Sequence, residues 1–371
     1  SDSGAQGDGL TNDNTPTFTG TGGTPGNTIT IYDGTTPIGS AVVDANGNWS
    51  ITPTTPLSDG SHSFTATNTD AAGNESTPSA PMNLVIDTTA PAAPPVTSFS
   101  LDSGRSTSDG ITNDNDLTLG GTAEANSVVK IYDGTTLVGT VTADAQGAWS
   151  LASTGTLADG AHTFKATATD AAGNTSALGT ALTVTVDTVA PQKPVITSIT
   201  PDNGASASDF ITSATQLVVS GTAEADSLMT VYDNGTAIGT VLTDAQGNWT
   251  ITTASGLADG AHRFSANATD VAGNKSVNAN SVTMSIDTTA PAAPTVASVG
   301  DDTGSSATDK ITSDSTLTVN GTAEPGSTVN LYDNSDPNNP RLIGTAVADA
   351  NGNYSIVVNP GLADGSYPLS V

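Results

Sequence analysis

The chain has 371 residues, and its 37 acidic residues stand against 8 basic ones, a formal charge of −29. A protein that neutralises phosphates needs a basic surface, so this balance excludes nucleic acid and disfavours an anionic membrane surface. Cysteine is absent, so no disulfide supplies stability, and no apolar run approaches the roughly 20 residues of a membrane helix.

Read from its first residues, the chain keeps returning to itself. SDSG at Ser1 anticipates LDSG at Leu101; Tyr-Asp recurs at Tyr32, Tyr132 and Tyr232; Trp49, Trp149 and Trp249 follow, then His62, His162 and His262, all at intervals of 100 residues. TDAAGN begins at Thr69 and Thr169 and TDVAGN at Thr269; DTTAP, DTVAP and DTTAP begin at Asp87, Asp187 and Asp287. A period this long matches whole domains rather than the short units of a solenoid. The expected domains are residues 1–89, without a first strand, then 90–189, 190–289, and 290–371, truncated at its C-terminus. The fourth copy carries Tyr332 and then five extra residues between Asp333 and Arg341, so its aromatic Tyr354 stands 105 residues after Trp249.

Within each copy, β-branched residues alternate with small polar ones between Gly and Asp turns, which is the period of half-buried strands. In the second copy the pattern predicts strands near Val96–Ser100, Leu117–Gly121, Val128–Tyr132, Val138–Ala143, Ala148–Ala152, His162–Thr169 and Ala181–Val186. No window carries a helical stripe. Seven short strands in about 100 residues predict an all-β fold, a seven-stranded immunoglobulin-like β-sandwich repeated in tandem as an extended rod. Trp149 and Leu151 share one strand face, and His162, Phe164, Ala166 and Ala168 share another, so these are expected to form the two halves of a facing core. Each histidine is expected to be a packed ring with one satisfied nitrogen, because the fourth copy has Tyr367 in its place. The tryptophans and Tyr354 read as core aromatics. No nucleophile elbow occurs, and the three histidines belong to separate domains, so no catalytic residue is expected.

The acidic loops carry the remaining chemistry. Alternating the ends of a seven-stranded sandwich brings Glu224, Asp244 and Asp270 to the leading end of the third copy, where the linker Asp187 arrives; Asp87, Glu124, Asp144 and Asp170 form the equivalent set one joint earlier, and Asp287, Glu324 and Asp349 one joint later. The first copy has no glutamate in this stretch, with Gly22-Gly23-Thr24 where the second has Thr-Ala-Glu. At the trailing end a second set is expected: Asp102, Asp109 and Asp159, with Asp114 beside them, then Asp202, Asp209 and Asp259, then Asp302, Asp309 and Asp364, with Asp314. Without a counter-ion such carboxylates repel, and a hard, oxygen-preferring cation would turn the repulsion into a rigid joint. Calcium is the expected ion; magnesium wants tighter octahedral geometry, and zinc wants Cys or more His. The alternative is that each Asp caps backbone amides of its own turn.

The combination GTAExxS, Tyr-Asp, D-A-x-G-x-W, L-A-D-G-x-H-x-F, T-D-x-A-G-N and D-T-x-A-P resembles the bacterial immunoglobulin-like repeats of giant non-fimbrial surface adhesins exported by type I secretion, nearest to that of Salmonella. The resemblance covers the whole chain and implies a secreted, cell-surface stalk segment. In it, calcium between and within domains would stiffen a rod holding a distal region toward a host receptor or glycan. It makes Asp87, Asp187 and Asp287 linker ligands faced by Asp170 and Asp270. The expected partners are calcium and neighbouring domains of the same chain, and a monomer is expected. The departures are Gly23, the insertion around Pro337–Pro340 and the fourth copy's missing last strand. Two other readings stay open: domains that themselves bind glycan or receptor, and a homotypic cell–cell or biofilm adhesive.

Overall fold

Strands, and no helices, follow from that alternation. The computed structural model describes residues 3–4, 7–204, 206–300, 302–303, 305–306 and 309–371, and every regular element among them is a strand. The second repeat shows how the fold is built. One sheet has five strands in the order Thr136–Thr142, Val128–Asp133, Gly160–Thr169, Leu182–Val186 and Ile111–Thr112; the other has three, Ala148–Leu151, Leu119–Thr122 and Val96–Phe99. The core lies between them. Val129, Ile131, Phe164, Ala166 and Val184 face Leu117, Leu119 and Trp149, each large apolar side chain contributing about 1.5–3 kcal/mol by leaving water. Leu151, expected in this core, packs against it half-buried.

Two boundaries shift for identifiable reasons. Leu117 is fully buried but lies before its strand, because its amide donates to the Thr154 hydroxyl oxygen at 3.0 Å. The strand expected from Val138 starts at Thr136, since Thr136 already pairs with Asp133 and leaves a two-residue turn with Gly134 at φ +57°, a conformation glycine adopts without steric cost. The short strand Ile111–Thr112, which the alternation does not predict, runs parallel to Leu182–Val186 through Thr185 and Val186.

The chain divides into two compact units, residues 1–200, 217–254 and 262–283 in one and 201–216, 255–261 and 284–371 in the other. In the first unit, the first repeat has the same five-stranded order, Leu10–Thr11, Met82–Ile86, Gly60–Thr69, Thr28–Asp33 and Thr36–Val42, beside a two-stranded sheet of Phe18–Gly20 and Trp49–Ile51. The third repeat contributes Val218–Thr222 between Val195–Thr200 and Asn248–Thr252, and Leu228–Asp233 between Thr236–Leu242 and the strand ending at Thr269. In the second unit, Ile211 and Thr212 pair parallel with Ser285 and Ile286. There the fourth repeat forms two three-stranded sheets: Thr295–Val299, Thr318–Thr322 and Asn353–Val357, then Arg341–Val347, Thr328–Asp333 and Leu369–Ser370.

Trp149, Trp249 and Tyr354 each pack against a glycine of the neighbouring strand. A Cβ on Gly121 would sit 2.6 Å from the Trp149 ring, one on Gly221 2.5 Å from Trp249, and one on Gly321 2.5 Å from the Tyr354 hydroxyl. The indole nitrogens of Trp149 and Trp249 are buried without a hydrogen-bond partner, whereas Tyr354 donates to the Thr295 carbonyl at 2.9 Å.

Candidate functional site

The acidic residues fall in turns, and most of their oxygens are used there. Asp144 Oδ1 accepts the amides of Gln146 and Ala148 at 2.9 and 2.8 Å. Asp44, Asp244 and Asp349 make the same pair of bonds in their own turns, as Asp does where turn amides lack a ladder partner. The Asn48 amide holds the Asp44 carboxyl below the usual carboxylate range, and the Asn248 and Asn353 amides do the same for Asp244 and Asp349. Glu124, Glu224 and Glu324 are exposed, and what the fold uses is their backbone carbonyls, which accept hydroxyls of Ser127, Thr243 and Ser327 at 2.7 Å each.

The TDxAGN loop is where one repeat meets the next. Asp170 Oδ1 accepts the Asn174 amide at 2.8 Å and Oδ2 accepts its side-chain Nδ2 at 2.9 Å. The same Nδ2 also donates to the backbone carbonyl of Asp87, in the preceding linker, at 2.8 Å. One repeat later Asn274 Nδ2 bonds Asp270 Oδ2 at 2.9 Å and the Asp187 carbonyl at 2.7 Å. The linker carboxylates serve their own segment: Asp87, Asp187 and Asp287 accept the amides of Thr89, Val189 and Thr289 at 3.0, 3.0 and 2.9 Å. Asp59, Asp159 and Asp259 hold the next linker residue, each accepting both the amide and the hydroxyl of Thr88, Thr188 or Thr288.

A second contact reinforces each of these two joints. Ser3 Oγ donates to the Ala172 carbonyl and Ser103 Oγ to the Ala272 carbonyl, both at 2.6 Å. Beside them, a Cβ on Gly4 or Gly104 would lie 2.0 Å from the Ala171 or Val271 carbonyl oxygen, so only glycine permits the approach. Arg105 adds a bond from Nη1 to the Asp226 carbonyl at 3.2 Å.

At the trailing end, Asp102, Asp202 and Asp302 each use Oδ2 to hold the amide of a residue at positive φ, Gly110, Phe210 or Lys310. Asp109, Asp209 and Asp309 cap the amides of Ile111, Ile211 and Ile311 at 3.1 Å each. Asp114 and Asp314 cap Asp116 and Thr316, and Asp364 is exposed. Among the described residues no three His, Asp or Glu side chains form a group that could hold a metal ion. Calcium takes roughly six to eight oxygens, and the joint is a poor fit because both oxygens of Asp170 and Asp270 are already engaged. The trailing end fits better. Oδ1 of Asp102, of Asp202 and of Asp302 is buried with no hydrogen-bond partner, and Asp109 lines the same open cleft as Asp102.

His62 and His162 differ from expectation in having two paired nitrogens rather than one. His162 Nδ1 lies 2.6 Å from Asp133 Oδ2 and Nε2 2.8 Å from the Ala158 carbonyl; His62 has the same partners in Asp33 and the Ser58 carbonyl. Burial pulls both imidazoles down, but the aspartate and the carbonyl outweigh it and hold them above their ordinary value. His262 Nδ1 lies 2.6 Å from Asp233. The partner aspartate is the one after each recurring tyrosine. Its recurrence, like that of Asn174 and Ser103 at the joint, was visible as a repeated letter, with nothing to show what it touched.

The family described as Bacterial Ig-like domain matches residues 1–88, 91–188, 190–288 and 289–371. Among curated proteins, Exoglucanase B of Cellulomonas fimi is 30% identical over 314 residues, 78% of this chain and 26% of its own length. Chitinase A1 of Niallia circulans is 36% identical over 207 residues, 54% of this chain and 26% of its own length. The chain thus spans about a quarter of the length of these relatives. Among solved structures, a tetra-tandem repeat from the extending region of a large adhesion protein is 26% identical, covering 96% of this chain and 90% of that one at a TM-score of 0.33. A structure of a 1.5-MDa bacterial ice-binding adhesin is 24% identical, covering 76% and 95% at a TM-score of 0.34.

Proposed function

This chain belongs to the bacterial Ig-like domain family, and from that premise we propose that it is a stalk segment of a giant surface adhesin of the Salmonella kind, secreted by a type I route, which holds a distal receptor-binding region away from the cell. The observation that carries the reading is the repeated joint: the same Asn-to-carbonyl and Ser-to-carbonyl bonds recur 100 residues apart. A binding module would differ from copy to copy in its loops; a spacer needs copies that join alike. The chain itself performs no catalysis in this reading and acts as a monomer in contact with its own neighbouring domains.

Calcium is part of the proposal, as a stiffener. Asp102 and Asp109, and their equivalents Asp202, Asp209, Asp302 and Asp309, would hold it, with the partnerless Oδ1 of the first Asp in each set as supporting observation. When bound, the ion neutralises carboxylates that otherwise repel. Extracellular modules of this kind bind at roughly 10⁻⁴ to 10⁻³ M, so such sites fill outside a cell.

Two measurements test the reading. In-frame deletion of residues 90–289 from the parent protein should reduce adhesion of whole cells while leaving the isolated distal region's affinity unchanged. Direct, saturable binding of the purified chain to host cells or glycans would favour the binding-module reading instead. Small-angle scattering of the purified chain with about 2 mM calcium and then with excess chelator should give the larger maximum dimension in calcium; equal dimensions would remove the calcium part alone.

A further inference from the structure

The TDxAGN loop exists in covered and uncovered forms within one chain. Ala172 and Ala272 are 1% and 0% exposed, and Asp170 and Asp270 are buried. In the first repeat, which has no preceding repeat in this chain, the same loop from Asp70 to Asn74 is exposed throughout. Its internal geometry is nonetheless the same, with Asn74 bonded to both oxygens of Asp70 at 2.9 and 3.0 Å. The internal Asp–Asn bonds are thus the same in the exposed copy as in the covered ones.

What covers it is specific. The aspartate clamps the Asn carboxamide by one N–H, which fixes the plane of the group and aims the other N–H at the linker carbonyl. Two residues earlier in the loop, the Ser hydroxyl reaches the Ala carbonyl and a glycine at positive φ lies on the preceding carbonyl. Two directed hydrogen bonds and one close approach, made by different residues of a small loop, define one relative placement. Every bond of this set that crosses the joint runs from a neutral donor to a backbone carbonyl, so neither salt nor a divalent cation is needed to make it.

We propose that the Asp-x-Ala-Gly-Asn loop is a docking surface for the trailing end of another copy of the same domain, that Asn174 and Asn274 fix the register of the joint, and that this register needs no metal ion. Asp170 and Asp270 are positioning residues that act through the asparagine. The uncovered loop Asp70–Asn74 is the same surface and fits the same partner, the Ser-Gly loop and linker carbonyl of a further copy. The inference rests on the stalk reading only for its purpose: calcium would narrow the motion of a joint whose centre the amide sets.

The test uses the intact chain, which has no cysteine. Thr35→Cys with Thr135→Cys places two spin labels across the first joint, and Thr135→Cys with Thr236→Cys does so across the second, all three positions being exposed. Pulsed dipolar spectroscopy should give one distance population at the first joint, with the same centre in about 2 mM calcium and in excess chelator. Asn174→Ala should disperse that population in both conditions and leave the second joint unchanged, which also reports that the chain is folded. Asp87→Ala removes the carboxylate but keeps the carbonyl, so the population in chelator should stay. Dispersal of the wild-type population by chelator alone, or its persistence in Asn174→Ala, overturns the proposal. A sharp population in a chain whose deletion leaves cell adhesion intact would sink the stalk reading and spare the docking surface; a dispersed one with adhesion lost would do the reverse.

Discussion

Each nitrogen of His62 and His162 faces an atom that only accepts, a carboxylate on one side and a carbonyl on the other. Only the protonated imidazole, with two N–H donors, satisfies both. The folded pKa is accordingly raised above the ~6.5 of an unfolded chain. The stabilisation is complete below that value and is lost as the pH rises through the folded pKa. The turn carboxylates of Asp44, Asp59, Asp70, Asp244 and Asp259 run the other way: their depressed pKa values contribute stability above the ~3.9 of unfolded Asp, lost as the pH falls. The first repeat, which holds His62 together with Asp44, Asp59 and Asp70, should therefore be most stable between these limits, and the imidazole Cε1 shifts of His62 and His162 should titrate with midpoints above ~6.5; midpoints at or below that value would sink this account. The fourth repeat lacks the alkaline limb. Tyr367 donates its hydroxyl to the Ala363 carbonyl at 2.9 Å, and Asp333 turns to Ser335 and Arg341 at 2.6 and 3.4 Å.

At the scale of elements, the strand Thr328–Asp333 is less well covered than its counterparts. Val128–Asp133 lies between strands of seven and ten residues and pairs with both along its whole length, whereas Thr328–Asp333 has only two pairs, Tyr332 with Ser370 and Asp333 with Leu369, on one side. Its amides should exchange about tenfold faster than those of Val128–Asp133, since local opening breaks fewer bonds; equal protection by hydrogen-exchange mass spectrometry would refute this. The long strands were legible because period-two alternation survives over five or more residues, as in Gly160–Thr169. Ile111–Thr112 was not, because two residues have no period and their parallel partner lies far along the chain. The candidate site divides in the same way. Aspartates in turns are conspicuous, and their places near the domain ends follow from strand order, but the partner that Asn174 finds is a peptide carbonyl, which every residue possesses and no letter marks.

For the molecule as a whole, the −29 charge is a self-repulsion that the fold must outlast. The first repeat has neither Lys nor Arg between residues 1 and 89, so it should respond most to screening. Raising the ionic strength from about 0.01 to about 0.15 M, with chelator present, shortens the Debye length from roughly 30 to roughly 8 Å. The melting temperature should rise by about 4 °C, the shift that roughly 1 kcal/mol produces in a domain of this size; a calorimetric midpoint that stays put or falls would count against it. The carbonyl at each joint has a consequence of another kind. Because Asn174 and Asn274 read the backbone of Asp87 and Asp187, unequal crossover between the DNA of two copies adds or removes a whole 100-residue block and regenerates the same bonds at the seam, so the gene can drift in length without any compensating change in its coding sequence.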